Sequence, residues 1–294
     1  MAESKHRTRA KTRSKTVSDS LPAYKTIALA RNGRLLTITL NRPEMRNAVN
    51  LAMHEELPEA FTFAATDEHS DVVVLTGAGN AFSAGGDLEH IANNAANPEL
   101  FDNEARLAKR IVFAILDLDK PLVCRLNGHA VGLGATLALL CDVTFAVESA
   151  RIGDPHVALG LVAGDGGAVI WPQLIGLART KEYLLTGELL GARRAAEIGL
   201  INHCLPPEEL DGAVQAFCER LLQGSRNAIR LTKVLLNLEL KRIATAVMDA
   251  GIAYESVTVR SADHREGVRA LQEKRKPVFR RPAPLPSKKS KPKR

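Results

Sequence analysis

The stretch VVVLTGAGNAFSAGGDL, residues 72–88, decides how the rest of the chain is read. It opens with Val72, Val73, Val74 and Leu75, a short apolar run of the kind that forms a buried parallel strand. Glycines at 77, 79, 85 and 86 then release the backbone from ordinary φ/ψ limits, so that N–H groups can point into a cavity. Asp87 stands where a helix should start, and a carboxylate there can cap free N–H groups. A second stretch, PLVCRLNGHAVGLGATLALLCDV at residues 121–143, repeats the plan of strand, glycine-broken turn and Ala/Leu-rich helix. Two such turns side by side can aim two backbone N–H groups at one oxygen, which is the geometry of an oxyanion hole.

Outward from these two stretches the chain alternates strand, turn and helix. Residues 25–30 and 34–40 read as strands joined at Asn32-Gly33, a dipeptide suited to a type I′ hairpin turn. The loop NRPEMRNAVN follows, with Asn50 as N-cap of a helix over Leu51–Thr66. Residues 98–118 read as a helix with Ile111, Ala114, Ile115 and Leu118 on one face. Later, Gly164, Gly166 and Gly167 open a helix that carries Trp171, and from Leu210 onward the pattern is helical without a convincing strand. Repeated units of this kind predict an α/β fold.

Length and composition agree with a soluble globular chain. The 294 residues can bury a full core in one large or two modest domains, and 45% apolar with 25% charged residues is ordinary. The longest apolar region, residues 130–147, is too short and too broken to span a bilayer, and no apolar signal core follows Met1. The expected location is therefore cytoplasmic. Cys124, Cys141, Cys204 and Cys218 show no metal-ligand or CxxC spacing, so buried reduced thiols are expected and no metal site. The net charge of +7 divides unevenly. Residues 1–20 hold six Lys/Arg against Glu3 and Asp19, and residues 275–294 hold nine against no acid, leaving the body between them at −6. Residues 1–20 and 280–294 are expected to be disordered basic tails, with contact to nucleic acid as their possible use.

Three blocks, NRPEMRNAVN, AFSAGGDL and NGHAVGLGATLALLCD, resemble in order those of the crotonase (enoyl-CoA hydratase/isomerase) superfamily. The likeness continues through LLTGELLGARRAAEIGLINHCLPPEEL to EGVRALQEKRKPVF, covering roughly residues 24–279. The resemblance implies a spiral of ββα units over residues 21–209. It also implies a helical region at 210–279 that assembles trimers or dimers of trimers. The implied substrate is an acyl-CoA thioester, coenzyme A entering as part of the substrate and not as a separate cofactor. Arg46 and Ala48 are implied contacts for the coenzyme A moiety, and Lys276 and Phe279 near the C-terminus are implied substrate contacts. Ala84, Gly85, Asp87, Leu88, Thr136 and Pro155 are further implied substrate contacts.

The resemblance assigns the two oxyanion donors to the N–H groups of Gly86 and Leu133. Such donors matter because they stabilise the charge of an enolate or tetrahedral intermediate more than that of the ground state. Typical hydratases of the family carry a Glu in the helix after the second turn and another after a downstream Pro, where this chain has Thr136 and His156. Thr136 is no base near neutral pH, whereas an unperturbed histidine titrates near ~6.5. Asp165 lies nine residues beyond His156 and is expected to bond one ring nitrogen and fix its tautomer. A His–Asp pair at these positions also resembles the branch of the superfamily that hydrolyses C–C bonds in β-diketones without coenzyme A. His129 is a further candidate for proton transfer.

Overall fold

The computed structural model describes residues 20–279, so the expectations for the basic tails fall almost wholly outside the described residues. A hairpin comes first, with β1 (Ile27–Asn32) antiparallel to β2 (Leu35–Leu40) and Asn32 opposite Leu35. The turn is Gly33-Arg34, one residue later than expected, because Asn32 is used in the ladder. Gly33 alone there takes a positive φ (56°), the pattern of a type II′ turn with glycine first.

Helix α1 (Leu51–Thr66) is capped by the Asn50 side chain, which accepts the Met53 N–H at 3.0 Å. Strand β3 (Val72–Gly77) is buried at every residue and leads through the first glycine turn to α2 (Leu88–Ala96) and α3 (Pro98–Asp117). Then come β4 (Leu122–Leu126), β5 (Ala130–Val131), α4 (Leu133–Leu139), β6 (Val143–Val147) and β7 (Arg151–Gly153). The chain continues through α5 (Gly167–Thr186), β8 (Leu190–Gly191), α6 (Ala192–Glu197) and β9 (His203–Leu205). Three helices finish the described residues, α7 (Pro207–Gln223), α8 (Arg226–Val259) and α9 (Ala262–Gln272).

The strands form two sheets. The larger has the order β1-β2-β3-β4-β6-β9 and is parallel throughout after the first hairpin. The smaller has the order β5-β7-β8. Single parallel bridges, Ser83 to Ala130 and Val49 to Gly86, extend it to the first glycine turn and the NRPEMRNAVN loop. The small sheet and its two bridges thus bring together segments distant in sequence. Leu210, Val214 and Cys218 of α7 and Ala244 and Met248 of α8 belong to the same apolar core as the strands. The change from strands to helices falls at Pro207, just before the expected boundary at residue 209, and the core continues across it.

Two buried lysines close polar gaps in this core. The Lys120 ammonium donates to the carbonyls of Ala64 and Asp67 and to the Ser70 hydroxyl, so it satisfies the end of α1, and burial lowers its pKa to about 8. Lys233 of α8 pairs with Asp142 at 2.8 Å and donates to the Lys120 carbonyl, tying the last long helix to the start of β4 and β6. Among the described residues no helix is long and apolar enough to cross a membrane.

Candidate active site

The first glycine turn is held by two asparagines. Asn47, buried and at φ 54°, donates from its side chain to the carbonyls of Ala78 and Ala81. Asn127 donates to Gly79 and Ala81 carbonyls, while its own carbonyl oxygen accepts the Gly77 N–H. Asp87 caps α2 by accepting the N–H groups of Glu89 and His90, and Arg42 pairs with it at 2.9 Å. The Val49 N–H donates to the Gly85 carbonyl, and the Asp87 N–H to the Val49 carbonyl. That parallel bridge uses the groups on either side of Gly86 and leaves the Gly86 N–H without a hydrogen bond to the described residues.

The second turn stands against the first. A Cβ on Gly85 (φ 85°) would lie 2.7 Å from the Val131 carbonyl oxygen, so only glycine permits this approach. Gly132 takes φ 54°, and a Cβ there would be 3.6 Å from Cε1 of His156. Leu133 is the first residue of α4, and its N–H is also without a hydrogen bond to the described residues. A Cβ on Gly86 would meet Cδ1 of Ile91 at 2.8 Å.

Gly86, Leu133, His156 and Asp165 all line one cavity of about 310 Å³, with Ala84, Gly85 and Pro155 in its wall. The other expected contacts do not line it. Thr136 is fully buried behind the wall, its methyl 2.7 Å from where a Gly166 Cβ would sit, and its hydroxyl has no partner among the described residues. Arg46 ends the short 3-10 turn Pro43–Met45 in the left-handed conformation and is exposed, and Ala48 is buried beneath it. Asp87 is occupied by its cap and by Arg42, and Leu88, Lys276 and Phe279 are exposed outside the cavity. His129 accepts the Arg151 N–H on Nδ1 and lies away from it.

His156 is the electrostatic centre. Its Nδ1 bonds Asp154, not Asp165. Asp165 instead faces the other ring nitrogen, with Oδ2 3.6 Å from Nε2, and Glu255 of α8 stands 3.9 Å from the same atom. The expectation that Asp165 fixes the tautomer is thus corrected, since a carboxylate two residues away reaches Nδ1 first. Burial alone would push the His156 pKa down, but Asp154, Asp165 and Glu255 together hold it well above the ordinary value. The three carboxyl groups thus favour the imidazolium form of the ring. Burial lifts the Asp165 pKa to about 6 against the opposing pull of His156, and burial likewise lifts Glu255 well above its usual range.

Glu255 reaches this site through a close helix approach. Gly251, one turn earlier on α8, packs on Gly164, where a Cβ would lie 2.5 Å from the Gly251 carbonyl oxygen. Gly164→Ala is expected to push α8 outward, cost about 1–3 kcal/mol of stability through overpacking, and lower turnover by displacing Glu255. Chemical denaturation and steady-state kinetics on one preparation check both effects.

The sequence model for enoyl-CoA hydratase/isomerase matches residues 30–282. The chain belongs to the enoyl-CoA hydratase/isomerase family. It is 32% identical over 262 residues to crotonyl-CoA hydratase of Syntrophomonas wolfei, covering 87% of this chain and 98% of that protein. It is 34% identical over 247 residues to 1,2-epoxyphenylacetyl-CoA isomerase of Escherichia coli, covering 83% and 94%. A crystal structure of an enoyl-CoA hydratase/isomerase from Mycobacterium paratuberculosis superposes with a TM-score of 0.80 at 37% identity, over 84% of this chain and 98% of that one. The crotonase fold and membership in an enzyme superfamily are thereby established, and the named relatives of this family enzyme include both a hydratase and an isomerase.

Two carboxyl groups near His156 were not singled out from the sequence. Asp154 was visible in GDPH, yet an acid two residues before a histidine in a loop reads equally well as a turn residue. Glu255 carries no local signal, because only the packing of α8 brings it to the cavity. The absence of the two expected Glu residues therefore does not leave this family enzyme without carboxyl groups at its site.

Proposed function

We propose that the protein is an acyl-CoA-processing enzyme that stabilises a thioester oxyanion through the Gly86 and Leu133 N–H groups and moves a proton through His156. The observation that carries this reading is the meeting, in one cavity, of two residues whose N–H groups bond nothing among the described residues and a largely buried histidine. Unsatisfied donors in a partly buried wall are costly unless a ligand oxygen or water takes them, so this arrangement favours an anionic oxygen. Asp154 holds Nδ1, which leaves Nε2 to act at the substrate. With its pKa raised, His156 serves first as a proton donor, and Asp165 is suited to receive a proton because its value lies nearer neutrality.

The relatives named as acting on CoA thioesters support this substrate class, and the chemistry is consistent with hydration or double-bond migration alike. Turnover of a panel of enoyl-, 3-hydroxyacyl- and β-ketoacyl-CoA thioesters, with cyclic β-diketones alongside and products followed by mass spectrometry, tests the reading. Turnover of thioesters alone supports it. Turnover of free diketones alone replaces it with coenzyme A-independent C–C hydrolysis.

Assembly into trimers or dimers of trimers is part of the proposal. Leu231, Leu235, Leu236 and Leu238 of α8 are each more than half exposed, an apolar surface unusual for a monomer. Sedimentation of the full chain at micromolar concentration is expected to give a trimer or hexamer, and a monomer alone would remove this part.

A further inference from the structure

A second polar cluster stands in the wall of the same cavity, built from three helices. His54 of α1 and Glu104 of α3 line the cavity, and His90 of α2 stands behind them. Nε2 of His90 is 2.6 Å from Oε2 of Glu104, and Nε2 of His54 is 3.4 Å from Oε1. The three side chains are 7%, 16% and 12% exposed for His54, His90 and Glu104. One donor atom from each lies within 4.8 Å of the others.

The hydrogen bonds say what the cluster lacks. Nδ1 of His54 is 3.2 Å from the Asn50 carbonyl oxygen, an acceptor only, so Nδ1 carries the hydrogen. In the neutral ring Nε2 then presents a lone pair, and it presents it to a carboxylate oxygen. Two acceptors facing each other in a buried wall are reconciled by a positive centre between them, either a proton or a metal ion. The Nδ1 bond to a backbone carbonyl is also the outer contact that commonly orients a metal-binding imidazole. Asn94, whose side chain donates to Oε2 of Glu104 at 2.5 Å, does the same for the carboxylate.

We propose that His54, His90 and Glu104 bind a divalent transition-metal ion of the Zn²⁺ class, with an open coordination position facing the cavity. Two imidazoles and one carboxylate match the donor set of open three-ligand sites, and metal–ligand distances near ~2.0–2.2 Å imply donor separations of about 3.3 Å. The present separations of 2.6 and 3.4 Å to the two carboxylate oxygens bracket that value, so small rotations suffice. The open position is available to water or to an oxygen of the bound acyl group. Residues 54, 90 and 104 have no recognisable ligand spacing in the sequence, because three separate helices supply them.

The readout is metal content, so the proposal stands or falls separately from the thioester reading. Full-length untagged protein is incubated with excess Zn²⁺, desalted and analysed by mass spectrometry for metal. Wild type and His156→Ala are expected to retain about one Zn²⁺ per chain, and Glu104→Gln and His90→Ala less than about a tenth of that. Circular dichroism establishes that the variants fold. Should they not fold, X-ray absorption of Zn²⁺-loaded wild type decides, because two imidazoles with oxygen ligands are required. Wild type without stoichiometric Zn²⁺, sulfur ligation, equal retention by a folded Glu104→Gln, or loss of the ion in His156→Ala would each overturn the site.

Discussion

His156→Ala is expected to lower kcat by about 10²–10⁴-fold on the true substrate, the usual worth of a positioned acid–base group. Substrate binding should change far less, because the proposed backbone donors at Gly86 and Leu133 are untouched. The pH profile carries more information than the loss itself. His156 is held well above its ordinary pKa, so its donor form persists through neutrality and is lost only as pH rises through the raised value. Asp165, lifted to about 6, gives the acid limb, since its carboxylate takes up a proton below that pH. The two values belong to an interacting cluster and shift together when one member is removed. His156→Ala should therefore erase the alkaline limb, and Asp165→Asn the limb near pH 6. Asp154→Asn should move the alkaline limb to lower pH, because it removes a carboxylate that raises the histidine. The raised histidine also stabilises the fold. That contribution is complete below the unfolded value near ~6.5 and disappears as pH rises through the folded one. Wild-type turnover by His156→Ala would reduce the residue to pocket lining.

The contrast between Gly86 and Glu255 explains how much of this site could be read from the chain. The two glycine turns were legible because their information is local. A strand, a run of residues able to take positive φ, and a helix start lie within a few residues of one another, and Gly85 at φ 85° and Gly132 at φ 54° use that freedom. Asn50 was legible as a cap for the same reason. The partners of His156 follow a different rule. Asp154 was overlooked in favour of Asp165 because spacing along a loop does not reveal which carboxylate reaches which nitrogen. Glu255 and Glu104 depend on how α8 packs on α3 and α5 and how α3 packs on α1, and the first of these depends on contacts such as Gly164 against Gly251. The hairpin shows the same limit at small scale. Both Asn32-Gly33 and Gly33-Arg34 satisfy the turn chemistry, and the pairing of Asn32 with Leu35 selects the second.

Gly86→Pro is expected to lower kcat by about 10²–10³-fold, the effect of removing one oxyanion donor. The bonding around Gly86 makes this a clean deletion. Its N–H holds nothing among the described residues, while the bonds that fix the turn run from Val49 to the Gly85 carbonyl and from Asp87 to the Val49 carbonyl. Proline at 86 therefore removes the donor and leaves that bridge intact. It does add atoms toward Ile91, whose Cδ1 is 2.8 Å from the Cβ position. Gly86→Ala is the control, since it places the same Cβ against Ile91 and keeps the N–H. If the N–H is the donor, the alanine variant should retain most activity while the proline variant loses it, both with unchanged circular dichroism. Leu133→Pro probes the other donor at the first position of α4, where a helix has no need of its N–H. Equal losses in Gly86→Ala and Gly86→Pro would assign the effect to crowding of Ile91 and remove Gly86 from the oxyanion site.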